Sequence, residues 1–232
     1  MNKAITAAAA LTALLALTPT AAAAPPPLFG TAEFRAASLD ALPKWQRTLR
    51  RVDEERAIYQ ACAQASAACP SRAAMAWQAV VRTHRDRPQI EQLRAVNEFL
   101  NEWRYKSDAQ NYGRRDYWAT PLEFLRNSGD CEDYAIAKYV TLRQMGFAPE
   151  QLRLVVVRDV MRDLAHAVLA VYLEDQVYIL DNLTTAVLPQ ERVGQYVPYY
   201  SVNETTRWAH VAPVETLVSS RSARMTPSAE AD

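Results

Sequence analysis

Net charge is the first thing this chain lacks: its 26 lysines and arginines are matched by 26 aspartates and glutamates over 232 residues. That balance gives no electrostatic footprint for nucleic acid or for an anionic membrane surface. A second absence is any long uncharged apolar run beyond the N-terminal residues, so no membrane insertion is expected. No internal repeat is present. Cysteine is scarce, at three residues, and so is histidine, also at three. No close Cys/His pair exists, so a zinc site using Cys131 and His166 would have to take carboxylates as its other ligands, which makes zinc the least favoured reading.

What is present begins with residues 1–24. Lys3 supplies a positive start, Ala4 to Leu17 an apolar stretch broken by threonines, and Ala21 to Ala24 an A-x-A cleavage pattern. This is the layout of a signal peptide and predicts an exported, soluble protein. About 200 residues then remain, enough for one domain with a real core, here placed at 25–218. The polar stretch 219–232 reads as a disordered tail. In an oxidising compartment Cys62 and Cys69 are a plausible local disulfide, the alternative being two buried small apolar residues. Cys131 is then the odd thiol, and a leftover thiol in an exported protein calls for an explanation.

Helical spacing dominates the first half. Pro43 opens a pattern of Trp45, Leu49, Val52 and Tyr59; Ser71 to Thr83 reads as a second helix; Ile90, Leu93, Val96, Asn97 and Leu100 form a third amphipathic face. His84 falls in the polar connector that follows the second helix and reads as solvated. Trp103 to Trp118 mixes aromatics with charges and is expected to be a long ordered loop rather than a core element. Thr120-Pro121-Leu122-Glu123 has the form of a capping box opening a short helix to Arg126. Cys131 to Met145 is a mostly apolar helix, with Lys138 and Arg143 towards its far end and Gly146 as its stop. The period then turns extended: Leu152 to Arg158, then His166 to Leu173, a tight turn at Glu174-Asp175, and Gln176 to Asp181. Val193 to Val211 either adds a strand or wraps the sheet. The expected fold is α+β, with N-terminal helices packed on a meandering antiparallel sheet of at least three strands.

The chain is organised around Asn127-Ser128-Gly129-Asp130-Cys131-Glu132-Asp133-Tyr134-Ala135. Gly129 can supply unusual backbone angles and Asp130 is a good N-cap, which puts Cys131 in the first turn of a helix. Backbone N–H groups there favour thiolate over thiol, as a nucleophile needs, although free cysteines are commonly packing residues. Such a nucleophile needs a base, and the base an orienting acid. A hairpin turning at 174/175 pairs 166 with about 183 and 181 with about 168, so Asp181 comes close to His166.

The motifs Gly129-Asp130-Cys131-Glu132-Asp133-Tyr134-Ala135, Leu164-Ala165-His166-Ala167-Val168 and Ile179-Leu180-Asp181-Asn182 resemble those of transglutaminase-like cysteine peptidases, specifically the bacterial LapG-type proteins. Leu28-Phe29-Gly30 with Glu33, and Pro43-Lys44-Trp45, resemble that family's N-terminal region, so the likeness covers nearly all of the mature chain. The resemblance implies a transglutaminase/papain-like fold, with Cys131 as nucleophile, His166 as base and Asp181 as orienting acid. It further implies a periplasmic endopeptidase that cleaves the N-terminal region of a large surface adhesin at a di-alanine site, releasing cells from a biofilm. An inner-membrane cyclic-di-GMP receptor as regulator is implied too, as is Ca²⁺ beside the catalytic cysteine.

Calcium also has a physical motive. Asp130, Glu132 and Asp133 crowd negative charge around a residue that must itself become negative, which would raise the thiol pKa, and Ca²⁺ suits an all-oxygen site. Acids in a first helical turn are stabilising without any metal, however. Three side chains cannot complete a calcium shell, and the 103–118 segment is the expected source of further ligands. Two other functions use the same residues: a transglutaminase with an amine acceptor, and a calcium-dependent binding protein with a silent thiol.

Overall fold

The computed structural model describes residues 26–211, so the signal-type segment 1–24 and the tail 219–232 lie outside the described residues. One helix organises the rest. Helix α7 (Cys131–Met145) buries Tyr134 to Leu142 without a break. A helix apolar on all sides belongs at the centre of a domain, and α7 is packed by α3 (Arg72–His84), α4 (Gln89–Asn101) and α6 (Pro121–Asn127). Its remaining side lies on two strands, β2 (Leu152–Asp159) and β3 (Leu164–Leu173). The expected stop is in place: Gly146 takes a left-handed φ of 105° at the C-cap, a conformation that favours glycine.

The other helices wrap this one. In α1 (Pro43–Glu54) Trp45 is fully buried, packs edge-on against Tyr139 of α7 and donates through Nε1 to the Asn203 carbonyl at 2.8 Å. The pattern expected to run unbroken to Tyr59 is interrupted at Glu55, where α2 (Arg56–Ala63) begins. Glu55 accepts hydrogen bonds from Thr120 and Tyr59, so its carboxylate is held by tertiary partners, a signal that helical spacing does not carry. Cys62 and Cys69 are joined by a disulfide. His84 ends α3 half-buried, bonded through Nδ1 to the Val80 carbonyl, one residue before the polar connector starts.

With β1 (Ala32–Ala36), β4 (Gln176–Leu180), β5 (Leu188–Pro189), β6 (Tyr196–Val202) and β7 (Arg207–Val211), the sheet has seven strands among the described residues, all antiparallel, in the order β1-β7-β6-β2-β3-β4-β5. It differs from the expected meander in two respects. Strand β1 (Ala32–Ala36) precedes the helices and closes one edge, and β6 (Tyr196–Val202) returns beside β2 instead of continuing outward from β4 (Gln176–Leu180). Strands β1 and β5 (Leu188–Pro189) are short and carry no buried residue, so neither shows the alternation by which strands are recognised. The 193–211 stretch holds two strands, β6 and β7 (Arg207–Val211). Alternating residues of β3 divide between two cores: Leu169, Val171 and Leu173 join the helical cluster, while Val168, Ala170 and Tyr172 pack with Leu28, Val193 and Tyr196 on the other face. Glu33 fastens the N-terminal strap there, accepting from the Leu28 N–H and from Arg153.

The 103–118 segment is more than a loop. It contains α5 (Asp108–Tyr112), and Trp118, 6% exposed, belongs to the main core. Its partners lie around the start of α7: Lys106 N–H donates to the Gly129 carbonyl, Asn111 Nδ2 to the Ser128 carbonyl, and the Tyr134 hydroxyl to the Trp103 carbonyl.

Candidate active site

The turn that opens α7 depends on glycine for space, not for backbone angles. The left-handed residue is Ser128, with φ 65°, whereas Gly129 does not have a positive φ. A Cβ on Gly129 would lie 2.3 Å from Asp133 Oδ2 and 2.6 Å from Asp133 Cβ. That aspartate is wholly buried and cannot retreat easily. Its Oδ1 accepts from the Ala119 N–H at 2.7 Å and its Oδ2 from the Asp130 N–H at 3.2 Å. Asp130 occupies the N-cap, as its type suggests, and Cys131 is the first residue of the helix.

Cys131 is the free thiol among the described residues and is partly buried. The thiol donates to Glu132 Oε2 at 3.2 Å. On its other side the β3–β4 ladder stops at the Leu169–Leu180 pair, leaving the start of β3 without a β4 neighbour, and there the Ala167 N–H faces the sulfur. Burial pushes the thiol pKa well above its ordinary value, and the charges of Glu132 and Asp130 push it further; the Ala167 N–H acts the opposite way. The helix start therefore does not by itself yield a thiolate.

Next to Ala167 stands His166, 4% exposed on β3. The hairpin register places Asp181 as the sequence suggests: Leu169 pairs with Leu180 and Leu173 with Gln176, so the ladder, extended, sets 168 opposite 181. His166 Nε2 and Asp181 Oδ1 are 2.9 Å apart, both buried. The Leu183 N–H also donates to Oδ1, at 3.0 Å, and the Tyr196 hydroxyl donates to Oδ2. Burial alone would raise the Asp181 pKa, but hydrogen bonding and charge from His166, helped by Tyr196, bring it below the ordinary carboxylate value. Tyr196 also lies 5.6 Å, ring to ring, from His166. Sequence reading missed it, because nothing in its spacing marks it out from the other tyrosines of 193–211.

The predicted acids gather with two more. Ligand atoms of Asp108, Asp130 and Asp133 lie within 4.8 Å of one another, as do those of Asp108, Asp116 and Glu132, and those of Asp130, Cys131 and Glu132. Asp108 and Asp116 come from the 103–118 segment, which was expected to contribute ligands without the residues being identified. The Asp108 N–H donates to Asp130 Oδ2 at 3.3 Å, joining the two halves of the cluster. Among the described residues, the buried Oδ1 atoms of Asp108 and Asp130 find no hydrogen-bond donor. Burial, then neighbouring carboxylates, push Asp108 up to about 6 and Asp130 up to about 8, and burial raises Glu132 and Asp133 as well. Carboxylates clustered this closely, two of them with buried undonated oxygens, fit a hard cation such as Ca²⁺. Asp133, with both oxygens held by backbone N–H groups, anchors the loop as much as it offers a ligand.

A buried helix that presents its first-turn cysteine to an antiparallel sheet, where a histidine is tethered to a carboxylate, defines the transglutaminase-like class of thiol enzymes. Residues 50–216 match the family model described as bacterial transglutaminase-like cysteine proteinase BTLCP, and the chain belongs to that family. Among solved structures it is similar to LapG of Legionella pneumophila. The EGTA-treated form aligns at 32% identity over 69% of this chain and 86% of that one; the calcium-bound form aligns at 28% over 75% and 98%. A further LapG structure aligns at 30% identity over 75% and 97%, and all three have a TM-score of 0.58. The chain is a cysteine proteinase of LapG type with the expected α+β fold. No match is found among curated protein sequences.

Proposed function

We propose that this protein is a calcium-dependent periplasmic endopeptidase. On this reading it cleaves the N-terminal region of a large surface adhesin, at a di-alanine site, and so promotes release from a biofilm. An inner-membrane cyclic-di-GMP receptor would hold it in check. The observation that carries the chemistry is the His166–Asp181 hydrogen bond beside the strand edge that receives the Cys131 sulfur. The reading of the substrate and regulator rests on family membership and likeness to LapG. Among the described residues no helix is long and apolar enough to cross a membrane.

In this mechanism Asp181 holds His166 through Nε2, leaving Nδ1 to take the thiol proton. The sulfur attacks the scissile carbonyl carbon, and the Cys131 backbone N–H, free at the helix start, donates to the developing oxyanion. His166 then returns its proton to the departing amine, and water, deprotonated by His166, releases the acyl group from sulfur. Asp108, Asp130 and Glu132, with Asp116 and Asp133 beside them, would hold the calcium. When bound, the ion supplies positive charge next to carboxylates that otherwise disfavour the thiolate. LapG has been solved both calcium-bound and EGTA-treated, which supports calcium here.

The test is cleavage of a purified adhesin N-terminal fragment by wild type and Cys131→Ala, each in excess calcium and in excess EGTA. Cleavage by wild type in calcium alone is expected. A Cys131→Ala protein that still cleaves, or equal rates in EGTA with an empty protein by metal analysis, would overturn the respective assignment.

A further inference from the structure

Strand β3 changes from an inner strand to an edge strand within its own length. Towards β2 it is paired from Leu164 to Val171, whereas its ladder with β4 ends at Leu169–Leu180. Residues 164–168 therefore form an uncovered sheet edge, and among the described residues no other backbone group bonds to it. Which groups point outward follows from the hairpin. Leu173 and Gln176 close a two-residue turn, so they exchange hydrogen bonds, as do Val171 and Leu169 with their β4 partners. The same alternation, carried back, aims the N–H and C=O of Ala167 and Ala165 at the empty side, while those of Leu164, His166 and Val168 face β2. Exposure agrees at the outer end: Ala165 is exposed and Leu164 is 39% exposed. Native sheets usually blunt such an edge with charge, proline or a bulge. Residues 164–168 carry no carboxylate, lysine, arginine or proline.

The edge also lies where the two reacting side chains meet. Alternation puts Ala165 and Ala167 with Leu169 and Val171 on the face that packs against the helices, the side from which Cys131 comes. It puts His166 on the opposite face with Val168, where its ring lies 5.6 Å from that of Tyr196. Thiol and imidazole thus approach each other around the uncovered edge, one from each side. We propose that this edge is the docking strand for the substrate: an extended stretch of peptide next to the scissile bond adds to β3, pairing its backbone with Ala165. This rests on the endopeptidase reading given above and says how that site holds its substrate. Five residues of strand span about 16 Å, room for an extended segment of similar length. Ala165 and Ala167 carry only methyl groups, so no larger side chain stands between a substrate backbone and theirs. Main-chain pairing supplies affinity with little demand on side chains. A helical segment has no free N–H and C=O to offer the edge, so cleavage is confined to extended or unstructured stretches of the substrate.

The experiment removes a backbone hydrogen bond from each partner in turn, in calcium-containing buffer. Ala165→Pro deletes the outward N–H and spares the β2 ladder, and proline is tolerated at edge positions of this kind. It should lower kcat/KM for the adhesin N-terminal fragment about tenfold or more, chiefly through KM, with a thermal midpoint within about 3 °C of the parent. On the substrate side, an octapeptide spanning the di-alanine site of that fragment is N-methylated at one residue at a time, the scissile nitrogen excepted. Strand pairing gives a period of two: methylation of nitrogens that face the edge costs about tenfold or more, and of those between them little. The peptide series leaves the enzyme intact, so it decides the matter even where the proline variant fails to fold. Both comparisons are repeated as binding to Cys131→Ala. A flat peptide series, or a folded Ala165→Pro with wild-type kcat/KM, overturns the proposal. Wild type that fails to cleave, while Cys131→Ala binds the peptides with the same alternation, sinks the proteolytic reading and leaves the docking edge standing. Neither binding nor cleavage removes both.

Discussion

Adding a single methyl group at Gly129 is the sharpest perturbation the site offers. The new Cβ would meet Asp133 Oδ2 at 2.3 Å, Cβ at 2.6 Å and Cγ at 2.8 Å, all closer than nonbonded atoms sit. Asp133 is fixed in the first turn of α7 and held through both oxygens by the Ala119 and Asp130 N–H groups. Either the turn moves outward or the carboxylate lets go. Overpacking of a filled site costs about 1–3 kcal/mol. Each hydrogen bond to a charged group contributes about 1.5–3 kcal/mol. Because moving the turn spares some of the bonds, the combined loss should be about 3–5 kcal/mol, less than the full sum. For a domain of this size that lowers the thermal midpoint by roughly 10 °C.

Gly129→Ala should therefore melt well below the parent and, because the turn carries Asp130 and Cys131, also lose activity. Asp133→Ala removes two of the three crowding atoms, so the double variant should be less destabilised than the sum of the two single changes. Calorimetry or circular dichroism in calcium-containing buffer decides it. A Gly129→Ala midpoint within about 2 °C of the parent would refute the argument that glycine is required here for space.

Two other outcomes follow from the same geometry. Asp181→Asn should keep its melting temperature while turnover falls severely, by roughly 10³ or more, since an amide cannot enforce the same tautomer on His166; equal activity would remove Asp181 from the mechanism. In EGTA, stability should fall as pH rises from about 4 to 8. Asp108 and Asp130 have folded pKa values raised to about 6 and about 8, so the fold is unpenalised while they are protonated and is strained once they ionise. Calcium should flatten that decline, and an apo protein equally stable at pH 5 and 8 would show that the carboxylates do not repel as described.

The parts of the site that were legible in the sequence share one property: local pattern determines them. The α7 boundaries follow from Asp130 and Gly146, and the meeting of His166 with Asp181 follows from hairpin arithmetic around Glu174-Asp175. What was not legible depends on contacts between distant segments. Gly129 reads as a turn residue until Asp133 is seen pressing on it. Lys138 reads as the polar end of a helix, because no local rule says that both sides of α7 are covered. Asp108 lies in a polar, aromatic stretch that looks like surface, yet it is 2% exposed because 103–118 folds back over the start of α7. Strand β1 has no alternation to reveal it and is recruited by β7, some 175 residues later.

The residues around Cys131 also set two opposing effects against each other, and magnitudes settle which prevails. A helix N-terminus favours an anion by about 0.3–1 kcal/mol, and by up to about 2 in favourable geometry, or at most roughly one and a half pKa units. Burial can raise the pKa of a thiol by about 3–5 units, and the carboxylates of Glu132 and Asp130 act in the same direction. The dipole loses: burial and the carboxylates favour the thiol, which donates to Glu132. On the proposed reading, calcium offsets the charge of these carboxylates and His166 takes the thiol proton. Asp181, hydrogen-bonded to the His166 ring and buried with it, holds that base in place.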